Sequence, residues 1–137
     1  MPRYLLDTSA LLAHYRHEAG MQAVQTLFED REAEVVAASI SITEFGRRLR
    51  DLGAPQAEVE EVLTYYQALL NKIIVIDADV AHVALTIAVI TPKRLPLADA
   101  LIVAAAQFAS AVLVHRDEHM RHVPAGLVDQ LDLEVKA

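Results

Sequence analysis

Tyr4-Leu5-Leu6 runs without a polar break into Asp7, and the hydroxyls of Thr8 and Ser9 follow at once. Three more apolar runs of similar length recur along the chain: Val35-Val36-Ala37-Ala38, Ile73-Ile74-Val75-Ile76 and Val112-Leu113-Val114. Short runs with no apolar–polar alternation read as strands buried on both faces. The segments between them carry helical spacing, as in Val24, Leu27 and Phe28. Strand followed by helix, repeated, predicts an α/β fold with a mainly parallel sheet covered on both sides. That architecture fixes where chemistry can sit, because open parallel sheets hold ligands at the carboxyl ends of their strands. Asp7 is expected at such an end.

The helices can be placed by their end signals. A first helix is expected over Ala10 to Arg16 with Ser9 as its cap, and a second over Met21 to Asp30. Ser39 and Ser41 offer caps for a third helix that stops near Gly53, and Pro55 suits the first turn of a fourth. Asp77 or Asp79 would cap a fifth that runs to about Ile90. Thr91 to Pro96 is a loop by its two prolines, and Leu97 to Ala109 is a helix with almost no polar face, so it should be buried. A short last strand is expected at Leu133-Glu134-Val135.

The 137 residues suit one domain spanning 1–137, with 54% apolar residues to build a core. Cysteine is absent, which excludes disulfides, thiolate metal sites and a cysteine nucleophile, and suits a cytoplasmic setting. Arg3 is followed by an apolar run broken at Asp7, unlike a secretory signal, and no apolar run is long enough to span a membrane. The formal net charge of −7 argues against a simple phosphate-gripping module. It does not argue against an enzyme that meets phosphates through bound cations, because each cation reverses the local field.

Four acids fall at element ends: Asp7 after the first strand, Glu44 in the first turn of the third helix, Asp99 in the first turn of the buried helix, and Asp117 after the Val112–Val114 strand. In a parallel sheet these positions share one edge. Carboxylates so grouped repel and raise one another's pKa, and a divalent cation removes the conflict. Oxygen-only ligation suits Mg²⁺ or Mn²⁺, ions that activate water and clamp phosphodiester oxygens. Each acid also has an ordinary reading. Asp7 could cap the first helix, Ser41-Ile42-Thr43-Glu44 has the pattern of a capping box, Glu44 could pair with Arg48, and Asp117 could be a plain loop residue. Asp99 is hardest to explain that way, set among residues that seek burial.

The stretches Leu5-Leu6-Asp7-Thr8-Ser9-Ala10-Leu11, Leu95-Pro96-Leu97-Ala98-Asp99-Ala100-Leu101-Ile102 and Val114-His115-Arg116-Asp117, with a glutamate one turn into the helix after the second strand, resemble the PIN-domain ribonucleases. The likeness is closest to the VapC-type toxins of toxin–antitoxin pairs and spans essentially the whole chain. It implies a three-layer α/β/α sandwich and RNA cleavage dependent on Mg²⁺ or Mn²⁺, with Asp7, Glu44, Asp99 and Asp117 as the acidic quartet. It also implies neutralisation by a cognate antitoxin, and usually a homodimer. Ser9 matches a hydroxyl often kept beside the metal, with Thr8 a second supporting hydroxyl. The fourth motif departs from the pattern. His115 stands where Thr or Ser is common, His119 where a second Asp is, and Met120 where Phe is. Glu118 is therefore a fallback for the fourth ligand.

The chemistry so implied is hydrolytic: a metal-bound water attacks phosphorus, with no side-chain nucleophile. Arg47, Arg48 and Arg50, with Lys93 and Arg94 before Asp99, are candidates for flanking phosphates. Two other readings are open. His115, His119 and His122 with Asp117 could form a transition-metal site, though this leaves Asp7 and Asp99 unexplained. A non-catalytic partner-binding domain could keep the quartet as a relic. No glycine-rich phosphate loop follows any strand.

Overall fold

The computed structural model describes residues 1–134, and they form an α/β/α sandwich. In chain order the elements are β1 (Arg3–Leu6), α1 (Thr8–Tyr15), α2 (Met21–Glu29), β2 (Glu34–Ala38), α3 (Ser39–Asp51), α4 (Gln56–Leu69), β3 (Lys72–Ile74), α5 (Ala78–Ile90), α6 (Leu97–Phe108), β4 (Val112–His115), a 3₁₀ turn (Glu118–His122) and β5 (Gln130–Asp132). The strands make one parallel sheet in the order β3-β2-β1-β4-β5. β1 is central, with Tyr4 opposite Val35 on one side and Val112 on the other.

Alternation along the buried strands feeds two cores. Leu5, Val36, Ala38 and Leu113 face one layer, built from α5 and α6 through Val80, Ile87, Ile102 and Val103. Leu6, Val35, Ala37 and Val114 face the other, where Leu11, Val24, Phe45, Val59 and Tyr66 bring in α1 to α4. Because every strand is parallel, Asp7, the start of α3 and Arg116-Asp117 emerge at the same edge. α6 leads back into β4, so its first turn, with Asp99, lies at that edge too.

Several boundaries differ from the sequence expectation, each for a local reason. Asp7, not Ser9, caps α1: its carboxylate accepts the Ala10 N–H at 2.8 Å. α3 begins at Ser39 with Ala38 as its cap, so Ser39 and Ser41 lie inside the first turn. The Ser39 hydroxyl instead accepts the Ile76 N–H, and the Ser41 hydroxyl is buried with no partner among the described residues. Glu44 consequently sits in the second turn and makes no capping box. Pro55 caps α4 rather than entering its first turn. β3 is only three residues long, since Asp77 caps α5 through the Val80 N–H. The last strand is at Gln130–Asp132, not Leu133 onward, and Val135 lies outside the described residues.

α6 is buried along most of its length, with Leu97 and Phe108 exposed at its two ends. Gly53 follows α3 with φ 100°, as a helix-terminating glycine does. Gly20, at the start of α2, has φ 97°, and a Cβ there would lie 2.8 Å from Leu133 Cβ. No helix among the described residues is long and apolar enough to cross a membrane.

Candidate metal centre

A cleft of about 520 Å³ opens at the carboxyl edge of the sheet. Asp7, Glu44, Asp99 and Asp117 all line it. They come from four parts of the chain.

Asp7 is the deepest, 2% exposed at the end of the central strand. Its backbone N–H continues the ladder to the Val114 carbonyl, and its Oδ1 takes two donors, Ala10 N–H and the Ser9 hydroxyl at 2.7 Å. The Ser9 oxygen in turn accepts the Arg116 N–H at 2.9 Å, which joins α1 to the end of β4. Asp7 is therefore both a helix cap and a wall of the cleft. Burial raises its carboxyl to about 7; the two donors oppose the shift, and the charges of Asp117 and Asp99 add to it. Asp99, in the first turn of α6, is also pushed up to about 7, mainly by burial and then by Asp117 and Glu44.

Glu44 reaches across from α3, and its Oε1 accepts the Thr8 hydroxyl at 2.6 Å. Asp117 caps the 3₁₀ turn by accepting the His119 N–H. Its own N–H donates to His115 Nδ1 at 3.1 Å, which fixes the tautomer: His115 Nε2 carries the proton and donates to Gln130 Oε1 at 2.7 Å. His115 is fully buried with both ring nitrogens engaged, so it has no lone pair left for a metal. His122 is exposed and takes no part in a ligand group. The histidine trio read from the sequence is therefore not assembled.

Among the described residues the group able to hold a metal ion is Asp99, Asp117 and His119, whose donor atoms lie within 4.8 Å of one another. His119 Nδ1 is 3.0 Å from Asp117 Oδ1 and 3.8 Å from Asp99 Oδ2. No lysine or arginine forms a salt bridge with any of the four acids among the described residues. Clustered hard oxygen donors, two of them held near neutral by burial and repulsion, fit a divalent cation better than any internal counter-charge present.

Of the basic residues read from the sequence, Arg48 lines the cleft, while Arg47, Arg50, Lys93 and Arg94 are exposed and outside its lining. Two arginines that were not singled out also line it, Arg116 and Arg121. Arg116 reaches Glu18 and Glu134, and Arg121 binds Asp132 and Glu134. Arg116 directly precedes Asp117 at a strand end, which is the signal that would have found it. Arg121 depends on the 3₁₀ turn, which nothing in the sequence announces. Glu118 lines the cleft as well, exposed at its rim.

A family model of the PIN domain matches residues 4–126. No curated protein matches the chain. Among solved structures, a chain of the VapBC2 complex of Rickettsia felis bound to a promoter DNA fragment superposes with a TM-score of 0.77 at 16% identity, over 95% of this chain and 98% of that one. The DNA-bound VapBC complex of Salmonella typhimurium gives 0.75 at 15% identity, over 97% and 99%. VapBC-5 of Mycobacterium tuberculosis, from a family of toxin–antitoxin systems, gives 0.68 at 17% identity, over 96% and 99%. At these identities the likeness is one of fold.

Proposed function

The chain belongs to the PIN-domain family, and on that premise we propose that it is a divalent-metal-dependent endoribonuclease, the toxin of a toxin–antitoxin pair. The observation that carries this reading is the meeting of Asp7, Glu44, Asp99 and Asp117 in one cleft, with none of them in a salt bridge to a lysine or arginine among the described residues. The fold likeness to chains of VapBC complexes supports a protein antitoxin as partner. A homodimer, and a cytoplasmic setting, belong to the same reading.

In this reading Asp7, Asp99, Asp117 and Glu44 would hold Mg²⁺ or Mn²⁺. When bound, such an ion supplies an activated water and charge stabilisation for the leaving oxygen. The chain's own residues do the rest. Ser9 and the Ala10 N–H aim Asp7, and Thr8 aims Glu44. Asp99 and Asp117, less buried than Asp7, face the open part of the cleft, where a carboxylate can receive the proton of the attacking water. Arg48, Arg116 and Arg121 meet phosphates that flank the scissile one. Arg47, Lys93 and Arg94 would at most touch RNA beyond the cleft. A single strand or loop is the substrate, since its backbone can enter an acidic cleft edge-on.

The test is cleavage of total cellular RNA with mapped ends, by protein freed of any copurifying partner, in Mg²⁺ or Mn²⁺ against EDTA. The parent should cut at defined positions and Asp99→Asn should not. Equal cutting by both, or none by the parent in either ion, overturns the reading.

A further inference from the structure

We propose that His119 is a metal ligand through Nδ1, and that it makes the centre a mixed nitrogen–oxygen site selecting first-row transition ions over Mg²⁺. This deepens the proposed function and rests on it, because the cation is the one the nuclease reading requires.

The geometry begins with the 3₁₀ turn. Asp117 Oδ1 accepts the His119 backbone N–H at 2.9 Å, which folds the imidazole back toward the acids instead of out along the turn. Nδ1 then lies 3.0 Å from Asp117 Oδ1, a hydrogen bond whose proton a bound cation would displace to expose the Nδ1 lone pair, and 3.8 Å from Asp99 Oδ2. Around an octahedral ion with bonds of ~2.1 Å, neighbouring donors are ~3.0 Å apart and opposite ones ~4.2 Å. The first separation equals that of neighbouring donors; the second lies between the two, so the Asp99 carboxylate has to shift by less than about 1 Å to take a place beside the imidazole. The two carboxylates are the only polar partners the imidazole has among the described residues. Its side chain is 47% exposed, so packing does not dictate its pose.

The chemistry points the same way. Asp7, Glu44, Asp99 and Asp117 together carry more negative charge than one divalent ion can offset. A neutral imidazole adds a donor without adding charge. Mg²⁺ favours oxygen and keeps its waters, whereas affinity for nitrogen rises along the series from Mn²⁺ through Co²⁺ to Ni²⁺. His115, four residues earlier, shows the contrast: its ring is consumed by Asp117 N–H and Gln130 and only supports the turn.

The experiment uses Mn²⁺ and Co²⁺ as probes on the whole protein. Pulsed electron-spin measurements on bound Mn²⁺ should show coupling to an imidazole nitrogen in the parent and in His122→Ala, and none in His119→Ala. Calorimetric titration should show Co²⁺ affinity falling about tenfold or more in His119→Ala while Mg²⁺ affinity changes less than about threefold. His119→Asp should narrow the preference for Co²⁺ over Mg²⁺. Bound Mn²⁺ without nitrogen coupling, in protein that still cuts RNA, overturns the ligand role and leaves the nuclease reading standing. Failure of all three ions to bind the parent overturns both.

Discussion

Ser9 Oγ lies 2.7 Å from Asp7 Oδ1 and donates to it, while accepting the Arg116 backbone N–H from just beyond β4. One hydroxyl thus aims the deepest acid and ties α1 to the end of β4. Ser9→Ala leaves the Arg116 N–H unpaired and strips Asp7 of a donor. The expected cost is about 1–2 kcal/mol of stability, read as a lower urea midpoint, with weaker cation binding. An unchanged midpoint would show that water replaces the hydroxyl at no cost.

Two acids, one buried and one partly buried, make stability depend on pH. Asp7 and Asp99 both titrate near 7 in the folded chain, raised from 3.8. A raised carboxyl pKa favours the fold fully below the unfolded value, and this contribution is lost as pH climbs toward the folded value. Between about pH 4 and 7, metal-free protein should lose up to about 1.4 kcal/mol per pH unit for each group, then level off. Urea titrations in EDTA at pH 5, 6, 7 and 8 test this. A saturating divalent cation should reverse the trend, because it binds the ionised acids. Stability that rises from pH 5 to 7 in EDTA would contradict the burial and repulsion assigned to these groups.

Asp99→Asn separates charge from shape. At pH 8, without metal, the variant should be more stable than the parent by roughly 1–3 kcal/mol, because a repelling carboxylate is gone; at pH 5 the two should nearly coincide. Thermal melts at the two pH values measure it. A variant destabilised equally at both would mean that Asp99 is held by contacts other than the acids.

His115 and His119 should behave in opposite ways. His115 is fully buried and satisfies both Asp117 N–H and Gln130. His115→Ala should cost about 2–4 kcal/mol from the cavity and the unpaired groups. His119→Ala, on a half-exposed side chain, should change stability by less than about 0.5 kcal/mol in metal-free protein. Denaturant curves for the pair decide between them, and a reversed order would overturn the roles assigned to the two rings.

Ser41 offers the reverse experiment. Its hydroxyl is buried in the first turn of α3 with no hydrogen-bond partner among the described residues. Ser41→Ala should be neutral or stabilising by up to about 1 kcal/mol. A clear loss of stability would mean that a bound water or ligand satisfies that oxygen.

The layers were legible because burial on both faces leaves a plain mark: unbroken runs such as Leu5-Leu6 and Val35-Val36 have no other stable use. The shared edge of the four acids followed from parallel strands alone. What the sequence could not decide was competition between neighbouring oxygens. Asp7 and Ser9 are equally good caps for α1, and the choice is made by an N–H from Arg116, 107 residues away. Glu44 looked like half of a capping box because its actual partner, Thr8, sits on another helix. Arg116 and Arg121 went unread for a similar reason: their carboxylate partners arrive only when β5 and the residues after it close on the cleft.

Gly20 shows how far the cleft's upkeep reaches. The residue carries no chemistry, yet its bare backbone is what Leu133 rests on, and the next residue, Glu134, grips both rim arginines. A methyl group at that turn would lift the closing segment and unclasp the two guanidinium groups from their carboxylate. The electrostatic character of the entrance is therefore governed from the bend between α1 and α2, the same bend that supplies Glu18 to Arg116.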